Sequence, residues 1–184
     1  PVALPLKQFS ALSVYLGNPQ GTVPIMSNFL YAAQRERMKI LAVCRCESSI
    51  FTGGAEGAGE AAARKDVTLY APNEEQGTLL LDEIMKHMNV RKKLLTDFCQ
   101  ANDLDEKNKD GLARAAEYVR SHTTPILVFI ENLADMVSNL DMMSEMLLDG
   151  VFKGMWQYNM RVIAFFEPKD EKRCQESVLY NGYA

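Results

Sequence analysis

The sequence is poor in the residues from which common catalytic and metal sites are built. Its 184 residues include two histidines, His87 and His122, and four cysteines. Neither histidine has a neighbouring signature, so no Ser-His-Asp or Cys-His set for nucleophilic catalysis is discernible. Cys44 and Cys46 lie two residues apart, but a zinc site needs a second pair with matching spacing. We therefore expect no metal site, reduced and mostly buried cysteines, and a helix-surface position for His87.

Long hydrophobic runs and a basic excess are also missing. The longest apolar run, residues 125–130, has the length of a strand, whereas a membrane-spanning helix needs roughly 18 to 20 apolar residues. Lysine and arginine number 20 against 24 acidic residues, a net charge of −4 with no basic block. This balance argues against nucleic acid as a partner. The chain opens with Pro1 and has neither an initiator methionine nor a signal peptide, so we expect a piece of a longer protein without membrane insertion of its own.

What the sequence does contain predicts an α/β domain. Hydrophobic residues make up 47% of the chain, enough for a core, and the length suits one domain. Short apolar runs predict five strands, at residues 12–16, 38–46, 67–70, 126–130 and 160–166. Apolar residues at helical spacing predict helices at 25–37, 74–100, 111–121 and 138–153. Strands that alternate with helices favour a parallel sheet, and the unbroken apolar run at 126–130 predicts its central strand.

Two segments between these elements have unusual compositions. The Gly/Ala-rich segment 52–66 predicts a surface loop, in which Glu60 stands where a phosphate-binding loop has its lysine. The helix predicted at 138–153 is rich in methionine. Its side chains are predicted to pack in the core or in an interface, and the stretch 136–155 is a candidate contact surface.

Ligands of such sheets bind beyond the carboxyl ends of the strands, so the loops there are the candidate site. The loop after the first strand contains Gly17, Gly21 and Thr22 but no lysine, and Pro24 removes one backbone donor. This loop predicts weak anion binding at most. Glu131 and Asn132 follow the strand at 126–130, where an ATPase has an aspartate for Mg²⁺ and a glutamate that polarises water. The amide of Asn132 cannot act as a general base.

The order of elements and the segment Val128–Met136 resemble the FtsK/SpoIIIE-like motor ATPases. The resemblance is narrower to the membrane-bound type VII secretion ATPases of the EssC type. The family's hydrophobic strand is followed by Asp-Glu-x-Ala-Asp-Leu; here Ala134 and Asp135 are kept, while Glu131 and Asn132 replace the two acids. The long helix that carries Arg91 also fits the family. In the next strand the family's polar sensor is replaced by Phe165, Phe166 and Glu167.

The resemblance implies a fold and a site. The fold is a three-layer RecA-like P-loop NTPase fold with a mostly parallel central sheet, and residues 1–184 form one degenerate ATPase domain of a longer multidomain protein. The nucleotide-site positions are Gly17, Gly21, Thr22, Glu131 and Asn132, all of them degenerate. No catalytic residue and no resident cofactor are expected.

The resemblance also implies a function. We expect a non-catalytic domain of a type VII protein-secretion motor, with a structural, regulatory or substrate-contacting role. The expected partners are neighbouring ATPase domains of the same protein, further copies in a homo-oligomer (a hexamer in the parent), and secreted proteins. The domain would lie on the cytoplasmic side of a membrane-bound parent that is itself an ATPase.

Two alternatives stay open at this stage. The domain could bind or slowly hydrolyse ATP with Mg²⁺, through Gly21, Thr22 and Glu131. It could also be an α/β nucleotide-binding module unrelated to motors, which a flavodoxin-like strand order would favour.

Overall fold

Five parallel strands form one sheet in the computed structural model, which describes residues 11–15, 22–45 and 66–172. The sheet order is β1-β5-β4-β2-β3, and every neighbouring pair of these strands is parallel. Among the described strands β1 lies at an edge, which differs from the flavodoxin-like order with the first strand inside the sheet. The strands are β1 (Ala11–Tyr15), β2 (Lys39–Val43), β3 (Val67–Tyr70), β4 (Ile126–Ile130) and β5 (Met160–Phe166).

Helices cover both faces of this sheet. They are α1 (Thr22–Arg35), α2 (Glu74–Ala101), α3 (Lys109–His122), α4 (Leu133–Ser138) and α5 (Met142–Gly154), with 3-10 helices at Met155–Tyr158 and Pro168–Asp170. None of the helices within the described ranges is long and apolar enough to cross a bilayer.

The sequence located the strands well and set the start of one helix too early. The strands predicted at 67–70, 126–130 and 160–166 are confirmed with these bounds. The methionine-rich helix predicted at 138–153 is confirmed as α5 from Met142 onward, but its predicted start is wrong, because a separate helix, α4, ends at Ser138. Asp141 begins the second helix by accepting a hydrogen bond from the Ser144 N–H at 2.6 Å. The loop predicted at 52–66 lies almost entirely outside the described residues.

The core lies on both sides of β4. Leu127 and Phe129 point to one face, where they pack with α1 residues such as Leu30. Val128 and Ile130 point to the other face, where α2, α4 and α5 contribute their buried side chains. All five residues of β4 are buried, as the absence of alternation predicted. The result is a three-layer α/β structure.

A buried arginine ties the long helix α2 to the amino ends of β4 and β5. Arg91 is 5% exposed, and its guanidinium donates to the carbonyl oxygens of Tyr158 at 2.6 Å, Asn159 at 3.1 Å and Thr124 at 2.6 Å. Burial lowers the pKa of Arg91 to about 10. Asn159 adopts a left-handed conformation with φ of 53°, and its side-chain amide donates to the Thr123 carbonyl. These contacts fix where both strands begin.

Candidate functional site at the carboxyl edge of the sheet

The carboxyl ends of β2, β4 and β5 meet at one edge, where ligands of parallel sheets bind. Arg45 comes just after β2, Glu131 and Asn132 follow β4, and Glu167 follows β5. A cavity of about 130 Å³ lies between them. Its lining comprises these four residues with Met26, Asp135 and Phe166.

The carboxylate of Glu131 contacts the neighbouring strand end. Its Oε2 accepts a hydrogen bond from the backbone N–H of Arg45 at 3.1 Å. The Glu131 N–H donates in turn to the Val43 carbonyl at 2.9 Å, which extends the pairing of β4 with β2. Glu131 therefore joins two strand ends at this edge.

Asn132 serves as the N-cap of α4. Its Oδ1 accepts from the Ala134 N–H at 2.9 Å and from the Asp135 N–H at 3.2 Å. The helix begins at Leu133, directly after this cap. A short polar side chain in an extended conformation before a helix is the usual N-cap, and the amide satisfies donors that have no intrahelical partner.

Asp135 forms a two-point ion pair with Arg45. Nη2 of Arg45 lies 2.6 Å from Oδ1, and Nε lies 2.6 Å from Oδ2. This hydrogen-bonded carboxylate raises the pKa of the Arg45 guanidinium. At the end of β5, Lys169 pairs with Glu167 at 2.8 Å, which raises the pKa of Lys169. In the described part of this edge, both cations are thus held by acids of the same chain.

The structure brings only part of the predicted site together. Glu131 and Asn132 lie at the edge as expected, while Gly17 and Gly21 lie outside the described residues and Thr22 appears as the first residue of α1. Sequence reasoning missed Arg45, because the second strand was predicted to run through residue 46. The available signal was a cation directly after the apolar run of β2.

The next question is where the histidines and cysteines of the described ranges lie. The described residues include no group of three or more histidine, cysteine or acidic residues that could hold a metal ion. Cys44 and Cys99 are buried as predicted, and Cys46 and Cys174 lie outside the described ranges. His87 lies on α2 as expected, but its side chain is only partly exposed.

His87 belongs to a cluster with Lys39 of β2 and Glu83 of α2. Lys39 Nζ lies 2.7 Å from Glu83 Oε1 and 2.9 Å from His87 Nε2, and Nε2 lies 3.1 Å from Glu83 Oε1. Burial, followed by the Lys39 charge, lowers the pKa of His87. The Lys39 hydrogen bond lowers the pKa of Glu83. This cluster holds α2 against the start of β2.

A second cavity, of about 340 Å³, lies at the opposite edge of the sheet. Arg120 and Arg161 line it together with Glu36 and Glu117. Burial, and then the charge of Arg120, lower the pKa of Arg161, while Glu36 opposes the shift. The mixture of charges selects no ligand class, and this edge carries the amino ends of the strands.

The chain is similar in structure to known proteins, but sequence comparisons find no match. No protein-family model matches the chain. No curated protein matches it. Among solved structures, the cytoplasmic domain of EssC matches with a TM-score of 0.68 and 11% identity over 99% of this chain. The cytoplasmic domain of the Thermomonospora curvata type VII secretion ATPase EccC matches with a TM-score of 0.66 and 13% identity, again over 99% of this chain.

The coverage of those structures is partial. This chain spans 31% of the EssC chain and 19% of the EccC chain. At such low identity the likeness establishes the fold. The chain therefore has the RecA-like α/β fold that the sequence resemblance implied, and the cytoplasmic domains of EssC and EccC are its structural neighbours.

The capping role of Asn132 can be tested by two substitutions. Asn132→Ala removes the acceptor for two backbone donors and should lower the free energy of unfolding by about 1 kcal/mol. Asn132→Asp keeps an acceptor and adds a favourable charge at the helix start, so it should stay within about 0.5 kcal/mol of the parent. Urea unfolding measures both. Equal losses for the two variants would contradict the capping role.

The His87 cluster predicts a specific dependence of stability on pH. Because the pKa of His87 is lowered in the folded protein, the unfolded chain takes up the proton first as the pH falls below about 6.5. As the pH falls below this value, the free energy of unfolding should decrease until the pH reaches the pKa of His87 in the folded protein, and then level off. Glu83, with its lowered pKa, adds a further loss only below about 4.5, its unfolded value.

His87→Gln should remove the first of these losses and keep the second. Urea unfolding measured between pH 7 and pH 4 resolves the two. Asn89→Gln, at an exposed position on the same helix, provides a control that cannot titrate and should keep the parent's profile. A His87→Gln profile parallel to that of the parent between pH 6.5 and pH 5 would show that burial does not act on this histidine.

Proposed function

We propose that this chain is a domain of a type VII protein-secretion ATPase and supports the motor without hydrolysing ATP itself. The fold shared with EssC and EccC supports the first part of this proposal. Because the chain spans a minor share of both neighbours, its natural partners would be adjoining ATPase domains of the same protein. Its place would then be the cytoplasmic part of a membrane-bound parent.

The observation that carries the second part is the self-contained hydrogen bonding of the carboxyl edge. Nucleotide hydrolysis needs a carboxylate that binds Mg²⁺ and a base that polarises the attacking water. Here Glu131 bonds to the Arg45 backbone, Asp135 binds the Arg45 guanidinium, and the side chain of Asn132 caps a helix. An amide accepts no proton, so position 132 cannot supply the base.

Space and charge support the same proposal. The cavity of about 130 Å³ at this edge is well below the range of roughly 300 to 1,000 Å³ typical of small-molecule sites. The carboxylates of Glu131, Asp135 and Glu167 face it or border it, and they would repel phosphate oxygens. Arg45 could compensate a phosphate only by giving up Asp135.

A domain with these properties would act through its surfaces. Its role in the motor would be to pack against neighbouring ATPase domains, to regulate them or to contact exported proteins. This role requires a stable RecA-like framework and no turnover of its own, which agrees with an intact core beside an amide at position 132.

Calorimetric titration with ATP and Mg²⁺, combined with a phosphate-release assay, tests the proposal. We expect no binding heat at millimolar nucleotide and no phosphate release above the buffer level. Glu131→Gln should leave both results unchanged, as should the control Glu75→Gln on the first turn of α2.

Two results would contradict this function. Micromolar affinity for ATP would favour a nucleotide-binding domain. Phosphate release that Glu131→Gln abolishes and Glu75→Gln preserves would establish an active site at this edge.

A further inference from the structure

Helix α5 presents an apolar face that the core does not cover. Met142, Met143, Met146 and Leu147 are 77%, 66%, 56% and 52% exposed. The opposite side of the helix supplies Leu148, Val151 and Phe152 to the core, so α5 is already anchored. Single exposed apolar residues are ordinary, but four on one helix face form a contiguous patch of the kind that marks interaction sites.

Two glycines continue this face toward the end of the helix. Gly150 and Gly154 follow Met143 and Leu147 on one helical stripe, at steps of three and four residues. A Cβ added at either glycine would meet no atom within 4 Å. Packing inside the domain therefore does not require glycine, although glycine inside a helix costs about 0.5 to 1 kcal/mol relative to alanine. We call the six residues Met142, Met143, Met146, Leu147, Gly150 and Gly154 the α5 outer face.

We propose that the α5 outer face binds the same face of a second copy of this chain, with the two helices antiparallel. Large side chains occupy the first half of the face and glycines occupy the second half. An antiparallel pair places Met143 over Gly154 of the other copy and Leu147 over Gly150. A parallel pair would set large residues against each other and leave the glycines uncovered.

Charges agree with the antiparallel arrangement. The partial positive charge at each helix start would face the partial negative charge at the other helix end. Lys153 near the end of α5 is 60% exposed and would lie near the start of the other copy's helix, whose first turn is acidic. Within the chain Lys153 pairs with Asp149 at 2.7 Å, so the acidic flanks of the two copies would meet partly neutralised.

The size of the face sets the expected strength. One helix face is smaller than the roughly 800 Å² per partner that stable complexes bury, so the dimer should be weak and form only at high protein concentration. This inference does not depend on the proposed function, because it concerns neither nucleotide binding nor the carboxyl edge.

Sedimentation equilibrium of the full chain, from about 10 μM to 1 mM, tests for such a weak dimer. The mean mass should rise toward that of a dimer. Gly150→Leu should weaken association at least tenfold because it fills the space that receives Leu147, and Met143→Glu should do the same. Val90→Glu, at a 70% exposed position on α2, is the control and should leave association unchanged.

Gly150→Leu also distinguishes this mode of pairing from nonspecific hydrophobic association. It adds apolar surface and helix propensity, so a thermal melt should show a fold at least as stable as the parent's. A monomer at every concentration would overturn the proposal. So would a dimer that Gly150→Leu leaves intact or strengthens, or one that Val90→Glu weakens as much as Met143→Glu does.

Discussion

The burial of strand β4 on both faces is the constraint from which the rest of the structure follows. Its five apolar residues are each at most 1% exposed, and the strand lies between β2 and β5 at the middle of the sheet. Hydrophobic burial of this kind is the main favourable term in folding, so β4 has little freedom to shift. Arg91 fixes its amino end, and Glu131 and Asn132 must then emerge at the carboxyl edge.

Parallel sheets bind their ligands at that edge. Here the described side chains at the edge bond to other groups of the same chain. Position 132 after β4 carries an amide, which cannot act as a general base and instead caps α4. Arg45 is bound to Asp135 across the end of β2. The cation that could have faced a phosphate is thus part of an internal ion pair. Under the proposed function, the absence of ATP hydrolysis and the local stability of this edge would have the same origin.

Sequence patterns predicted the strands because each is a short apolar run between polar or turn residues, as at 126–130. They placed the start of the methionine-rich helix too early, since only the caps Asn139 and Asp141 mark the break between α4 and α5. They missed Arg45 because its partner Asp135 is 90 residues away in sequence. Composition also could not separate the buried Met136 and Met155 from the exposed Met142 and Met143, since burial depends on which side of a helix meets the sheet.

A double-mutant cycle on Arg45 and Asp135 tests most directly whether the carboxyl edge is held by the chain itself. The variants are Arg45→Gln, Asp135→Asn and both together, each compared with the parent by urea unfolding. Arg45 is largely exposed, so solvent screening limits the coupling energy, and we predict about 0.5 to 1 kcal/mol that decreases at high salt. Additive losses, with no coupling at low salt, would show that the ion pair does not form and that Arg45 is available to a ligand.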